Sequence, residues 1–428
     1  MARIVLTTWG SHGDVDPFLG LALGLKARGH QVTLATLEYF RDLVTAQGLG
    51  FHPIRPDVNP ADADVVRRIM DRDRGTEFLL RELIFPGVDA MYDDLTGLLE
   101  GADLVITHPL TMAAAIIAQH RGLPWASVVL APTSFFSRYD VPVLPPMPWL
   151  KTLDRFAKWP GKLVVSLGKR VTGAWPVQVY ALRQRLGLPK GGNPLFDGQH
   201  APRLVLALYS TVLGAPQADW PPNVVVTGHM FHDGPHGTSL SPDIEAFLAA
   251  GPAPVVFTLG SSAVLVAGDF WRESLAVVRQ LGVRALLLVG PGKAAAMQPS
   301  LGEGVLAVDG APHSLLMPRA SVVVQQCGVG TLAQSLRSGR PMLAVPWAHD
   351  QPDNAYRAQQ LGMARIVYPR RYRSPRVAAE LRTLLSEPSY ALAAQRTAAI
   401  VRSERGVDAA CDALEERFQL RRHVALNG

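Results

Sequence analysis

Cysteine is almost missing from this chain: Cys327 and Cys411 are the only two in 428 residues. Two cysteines build neither a disulfide framework nor a thiolate metal site, so a reducing, cytoplasmic setting is expected. Apolar runs are short. None reaches the roughly 18 residues that a membrane helix needs, and the N-terminus lacks the apolar core of a signal peptide. Charge is sparse, with 18% charged residues against 48% apolar ones, a balance that fits a folded globular protein and argues against a disordered one. The G-x-G-x-x-G fingerprint of dinucleotide binding is absent, and Gly10-x-x-Gly13 does not replace it. His229, His232 and His236 cluster with no acidic or cysteine partner at ligand spacing, so no metal is expected. The net charge of +6 comes with no nucleic-acid recognition motif, and nucleic acid is not expected as a partner.

What the chain does contain is a repeated unit of apolar strand, glycine turn and helix. Its length suggests two or three domains with ample core. Ile4–Thr8 reads as a strand, Gly10-Ser11-His12-Gly13-Asp14 as a turn, and Phe18, Leu21, Ala22 and Leu25 as one face of a helix that Gly29 stops. Gln31–Thr36 is the next strand, so the unit is β-α-β and a parallel sheet follows. Further strands are expected at Phe51–Ile54, Asp103–Thr107 and Trp125–Leu130, with helices over 38–47, 76–99 and 111–121.

The same unit recurs late in the chain. Ala320–Val324 is a strand that runs into Gln325-Gln326-Cys327-Gly328-Val329-Gly330, and Thr331 opens a helix. Free N–H groups and the positive end of a helix dipole converge on that turn and make it an anion cradle. The strand Met342–Val345 ends at Pro346 and feeds Trp347-Ala348-His349-Asp350-Gln351. A carboxylate and an amide beside an anion cradle suit a phosphate linked to a polyhydroxylated group.

Pro312, His313, Pro318, Gly328, Gly330, Thr331, Gly339, Pro341, Pro346, Asp350, Gln351 and Asn354 stand at the spacing of a known signature. The stretch resembles the C-terminal signature of the family 1 nucleotide-sugar glycosyltransferases, which have the GT-B fold. The N-terminal turn, with Pro17 in place, resembles the start of bacterial antibiotic, rhamnolipid and sterol glycosyltransferases. The chain departs from the pattern at Gln325 and Gln326, where the family has histidines. An amide also donates a hydrogen bond but cannot be cationic, so the diphosphate is held less strongly. Gly310 stands where plant relatives carry a base-stacking Trp.

The resemblance implies two doubly wound, Rossmann-like α/β domains facing a cleft. It implies an inverting enzyme that uses neither metal nor cofactor, with a nucleotide sugar as co-substrate. Uridine diphosphate glucose is the default donor and a thymidine diphosphate deoxysugar such as rhamnose the second. Gly260 and Ser261, in a second strand–turn–helix at Val255–Leu259, would join Gln326, Gly328, Gly330 and Thr331 around the diphosphate. His313 would meet the nucleotide, and Asp350, Gln351 and Asn354 the sugar.

Sugar transfer to a hydroxyl needs a base for the acceptor proton. Asp14 falls where plant relatives carry a catalytic His and antibiotic-type relatives an Asp. His12, two residues away, has the more suitable unperturbed pKa, and both remain candidates. Asp14 also lies close enough to the helix start to act as its N-cap. His108 follows the strand 103–107 near where plant relatives place the residue that orients the base, so an Asp14–His108 pair is expected.

Residues 131–150 carry Pro132, Pro142, Pro145, Pro146 and Pro148 among aromatics, which excludes a helix. Phe135, Phe136 and Trp149 are the expected acceptor wall for a small apolar aglycone: a lipid, a sterol or an aromatic. Residues 151–190 hold nine Lys/Arg and the single acid Asp154. That segment is a solvated basic face, a cover for the first core, or a peripheral contact with the inner membrane surface. The Gly, Pro and Ser density after Gly228 marks a linker. The expected domains are therefore an acceptor domain over 1–228, a linker over 229–241, a nucleotide-sugar domain over 242–404, and a helix over 405–428 that crosses back. Two alternatives stand beside the transferase: an epimerase of the same fold, and a nucleotide-sugar-binding protein without catalysis.

Overall fold

The structure, a computed structural model, describes residues 1–144, 151, 159–232 and 239–420. The first seven strands are β1 (Arg3–Thr7), β2 (Gln31–Thr36), β3 (Gly50–Pro53), β4 (Leu104–Thr107), β5 (Trp125–Val129), β6 (Val205–Ala207) and β7 (Val224–Val226). They form one parallel sheet in the order β3-β2-β1-β4-β5-β6-β7. Every residue of β4 and β5 is buried, as helices covering both faces of a parallel sheet require. The second sheet holds β8 (Val255–Thr258), β9 (Ala285–Leu288), β10 (Val305–Val308), β11 (Val322–Gln325), β12 (Met342–Ala344) and β13 (Ala364–Ile366). Its order is β10-β9-β8-β11-β12-β13, again parallel. This is the doubly wound α/β architecture expected from the sequence.

The strand order fixes where chemistry can sit. In each sheet the winding direction reverses between two central strands, β1 and β4 in the first, β8 and β11 in the second. Loops leaving the carboxyl ends of such strands part to either side and open a crevice. Asp14 follows β1, His108 follows β4, Gly260 follows β8, and Gln326–Thr331 follow β11.

The two domains exchange packing. Val66 and Met70, on and just after the helix Ala63–Ile69, are buried in the second domain's core with Leu259 and Val264. The helix Gly406–Phe418 returns the favour, with Ala410, Cys411 and Leu414 in the first domain's core. It approaches the helix His12–Ala27 so closely that a Cβ on Gly24 would stand 2.4 Å from Val407 Cγ1 and 3.0 Å from Cys411 Sγ. Arg28 clamps the pair through Asp412 at 2.6 Å and Glu415 at 2.7 Å. A third apolar cluster spans the interface, joining Val129, Tyr209 and Trp220 to Leu332, Leu336 and Ala355.

Three local expectations change. The helix over 76–99 is broken: Pro86 separates a wide π-type turn over Leu79–Ile84 from the helix Val88–Leu98. The helix Ala63–Ile69 and the three-residue strand β13 had no clear sequence signal. The loop after β5 opens with a 3-10 turn over Pro132–Phe135.

Candidate active site

Asp14 sits in the first turn of the helix His12–Ala27. It is not the N-cap; Ser11 is, and Asp14 completes the reciprocal capping box three positions on. Its Oδ2 accepts the Ser11 N–H at 2.9 Å and lies 3.3 Å from Ser11 Oγ. Gly10 makes this possible. Its φ is +141°, and a Cβ there would stand 2.2 Å from that same oxygen. The other oxygen, Oδ1, faces His108 Nε2 at 3.6 Å, contact distance without a hydrogen bond. Burial pushes the Asp14 carboxyl up to about 6, against the pull of its Ser11 hydrogen bonds.

His108 is fixed by its own loop. Its Nδ1 accepts the Leu110 N–H at 3.3 Å, and its N–H goes to Thr111 Oγ1 at 3.1 Å. Burial lowers its pKa to about 3. The ring is therefore neutral, with its one proton on Nε2 and directed at Asp14. His12 points elsewhere. Its Nδ1 is 3.2 Å from Asp16 Oδ1, and its ring packs edge-on against Phe40 at 5.1 Å. Burial lowers its pKa, but the Asp16 hydrogen bond and charge outweigh that and raise it.

Across the crevice, Gly260 turns at φ +64°, and a Cβ there would fall 2.2 Å from Gln326 Nε2. Gln326 donates from Nε2 to Thr331 Oγ1 at 3.2 Å, and its buried Oε1 has no partner. Cys327 takes φ +67° and donates its N–H to Gln325 Oε1 at 2.9 Å, which gives Gln325 a purely supporting role. Gly328 caps the helix Val329–Ser338. Gln351 is oriented through its carbonyl, which accepts the Trp347 N–H at 2.9 Å. Its amide nitrogen would stand 3.9 Å from a Cβ on Gly328. Asn354 donates to Cys327 O at 2.9 Å and to Asp350 Oδ2 at 2.5 Å, while its buried Oδ1 is unpartnered. Buried polar atoms are normally paired, so Gln326 Oε1 and Asn354 Oδ1 mark this cradle as a place for hydrogen-bonding groups. Ser261 is exposed beside Gly260, and His313 opens the short helix His313–Leu316, with burial lowering its pKa to about 4.

The two halves meet at the starts of two helices. A Cβ on Gly13 would stand 3.4 Å from Val329 Cγ2, and one on Gly330 would stand 3.9 Å from Gly13 Cα. Asp350 is pushed up to about 7, first by burial and then by the charge of Asp14. The crevice thus holds two carboxylates, two helix N-termini and two orphan carbonyl oxygens.

The three aromatics expected as an acceptor wall are not gathered into one pocket among the described residues. Phe135 is buried, stacked on Trp220 at 4.0 Å and on His200 at 5.4 Å, so it serves the interface core. Phe136 packs on Phe196 at 4.5 Å, and Trp149 lies outside the described residues. A cavity of about 270 Å³ lies beside His108, walled by Met112, Ile116, Trp125 and Val179. The sequence reading also missed His349, at φ +57°, whose Nδ1 lies 3.1 Å from Thr76 Oγ1 of the other domain.

Two family models match, the glycosyltransferase family 28 N-terminal domain over residues 4–81 and its C-terminal domain over 264–410. The chain is 35% identical over 436 residues to O-mycaminosyltylonolide 6-deoxyallosyltransferase of Streptomyces fradiae, and the match covers 98% of each. The chain belongs to this glycosyltransferase family. The models carry the number 28 where the signature resembles family 1, and the solved neighbours share the GT-B architecture. The calicheamicin glycosyltransferase CalG4 superposes with a TM-score of 0.73 at 18% identity, covering 99% of both chains. The spinosyn rhamnosyltransferase SpnG, solved with thymidine diphosphate, gives 0.70 at 18% identity over 97% of this chain and 100% of that one. This glycosyltransferase has no group of three or more His, Cys, Asp or Glu arranged for a metal among the described residues. Among those residues, no helix is long and apolar enough to cross a membrane.

Proposed function

We propose that this glycosyltransferase moves a deoxyhexose from thymidine diphosphate to a hydroxyl of an apolar natural-product aglycone, with inversion and with no cofactor beyond the donor. The observation that carries this reading is that the helix start bearing Asp14 meets the Gln326–Thr331 cradle, Gly13 against Val329 and Gly330. Uridine diphosphate glucose is the second donor. The thymidine sugar is favoured because the 35% identical relative is named for a deoxyhexose and SpnG is titled with thymidine diphosphate.

In this mechanism Asp14 is the base. Its pKa, raised by burial, makes it a stronger base than an ordinary carboxylate. Neutral His108, 3.6 Å from Oδ1, borders the carboxylate without taking the proton itself. The acceptor lies by His108, partly in the cavity walled by Met112 and Ile116. As its oxygen attacks, the proton passes to Asp14 Oδ1 and the anomeric bond to the diphosphate breaks on the opposite face. The N-terminus of the helix Val329–Ser338 and the N–H groups of the Gly260 turn receive the developing diphosphate charge. Gln351 and Asn354 meet the sugar hydroxyls.

A lipid-surface role belongs to the same proposal. Leu163, Leu167 and Val171 form an exposed stripe on the helix Trp159–Thr172, each more than half exposed. Lys162 and Arg170 flank it, which fits peripheral contact with an anionic membrane.

The test is a thermal-shift panel of nucleotide sugars, followed by product analysis with and without an aglycone. Stabilisation by thymidine diphosphate sugars with release of diphosphate only when an aglycone is present is the expected result. Donor turnover without an acceptor would favour the epimerase. Binding without any turnover would favour the non-catalytic protein.

A further inference from the structure

The helix Gln351–Gln360 carries a second set of polar contacts that the sugar-transfer chemistry does not use. Gln351 and Asn354 face the cradle, whereas Asp353 and Arg357 face the first domain. Asp353 is fully buried and its Oδ1 accepts the Val143 N–H at 2.9 Å. Its Oδ2 takes Arg357 Nε at 2.6 Å. Arg357, also buried, extends from there to Asp140 Oδ2 at 2.7 Å and to the Leu213 carbonyl at 2.8 Å. Lys151 holds the other Asp140 oxygen at 2.8 Å. The loop bearing Asp140 and Val143 leaves the carboxyl edge of β5, and Asp219 ties its start through Ser137 Oγ at 2.7 Å and the Arg138 N–H at 2.8 Å.

Charges are an expensive way to hold two domains together, since apolar residues of similar size would do it at less desolvation cost. What a buried charge cluster adds is a single register. The cradle is joined to this cluster by one turn of helix. Asn354 grips the Cys327 carbonyl in the middle of the cradle, and Asp353 is its neighbour in sequence. We infer that Asp353, Arg357 and Asp140 are positioning residues that relay occupancy of the diphosphate cradle to the 137–143 loop, and so couple donor binding to the seating of the first domain on the second. The relay rests on the nucleotide-sugar reading above. Diphosphate at the Cys327–Gly328 turn steadies Asn354, the helix turn steadies with it, and the loop is drawn into register through Val143 and Asp140. By linkage, whatever holds the loop in register strengthens donor binding by the same factor.

Amide exchange at Val143 reads the relay in the full chain, with thymidine diphosphate in one arm and uridine diphosphate in the other. In the wild-type protein a saturating diphosphate is expected to slow Val143 exchange by about tenfold. In Asp140→Asn the diphosphate still binds, with Kd weakened by no more than the lost coupling, because Asp140 hydrogen-bonds Lys151 and Arg357 and not the cradle, while the slowing shrinks to less than about twofold. Arg357→Lys behaves likewise, since an ammonium cannot serve Asp353, Asp140 and a carbonyl in one fork. Equal slowing in wild type and both variants overturns the relay. So does a parallel loss of Kd and melting temperature, which would make the cluster merely structural. If neither diphosphate binds the wild-type chain, the nucleotide-sugar reading falls together with the relay; binding without the Val143 effect sinks the relay alone.

Discussion

Asp14 shows how one side chain is set by opposing forces. Two Ser11 contacts stabilise its charge, burial opposes it, and burial wins. The base must be ionised to accept a proton, so a raised pKa costs activity on the acid side. The kcat/KM profile is expected to fall below about pH 6 rather than about pH 4, near which an ordinary carboxylate titrates. Asp14→Asn should lower kcat by about 10²–10⁴-fold with little change in donor KM; a loss of less than about fivefold would remove Asp14 from the role. Gln326 is the second residue to test. Gln326→His restores a group that can carry charge at the diphosphate, and is expected to tighten thymidine diphosphate binding by a few-fold, roughly 1 kcal/mol. A large weakening, read by calorimetry, would mean that the orphan Oε1 makes a contact only an amide can make. Asp14, His108 and the cradle were legible because each ends a short apolar strand at a turn, a pattern one sequence carries in full. Phe135 was not. Its partner Trp220 lies far along the chain, and nothing local distinguishes an aromatic that lines a pocket from one that stacks in an interface.

At the scale of elements, legibility followed the same division. Strand–turn–helix units such as Arg3–Ala27 are specified by their own residues. The helix Ala63–Ile69 is specified by a surface it meets only after the chain has folded, because Val66 and Met70 bury in the other domain. The contact between the helices His12–Ala27 and Gly406–Phe418 rests on the absence of a side chain at Gly24. Gly24→Leu would drive a branched side chain into Val407 and Cys411, and is expected to destabilise the fold by about 1–3 kcal/mol, read as a lower denaturant midpoint. A Cβ here has nowhere to go, so an unchanged midpoint would mean that the helix Gly406–Phe418 is not seated as described. The break at Pro86 has a similar lesson: apolar periodicity ran through it, and the missing N–H decided against a continuous helix.

For the molecule as a whole, the two doubly wound sheets could be read from the strand–turn–helix repeats, but the way the domains grip each other could not. The stripe Leu163, Leu167 and Val171 is the largest-scale claim open to a direct assay. The wild-type protein is expected to sediment with phosphatidylglycerol vesicles and not with phosphatidylcholine vesicles, and Leu163→Ser, Leu167→Ser and Val171→Ser together should abolish this without lowering the melting temperature. Equal sedimentation with both lipids, or none with either, ends that reading.

The exchange of helices also governs how the enzyme can be re-engineered. A chimera taking the first domain from one parent and the second from another would leave each half wearing the other parent's cover. The Val66–Met70 knob would enter a socket shaped for a stranger, and Ala410, Cys411 and Leu414 would close a foreign floor. A hybrid that keeps each cover with its own socket, grafting 63–70 together with the second domain and 406–418 together with the first, is the one that the packing favours.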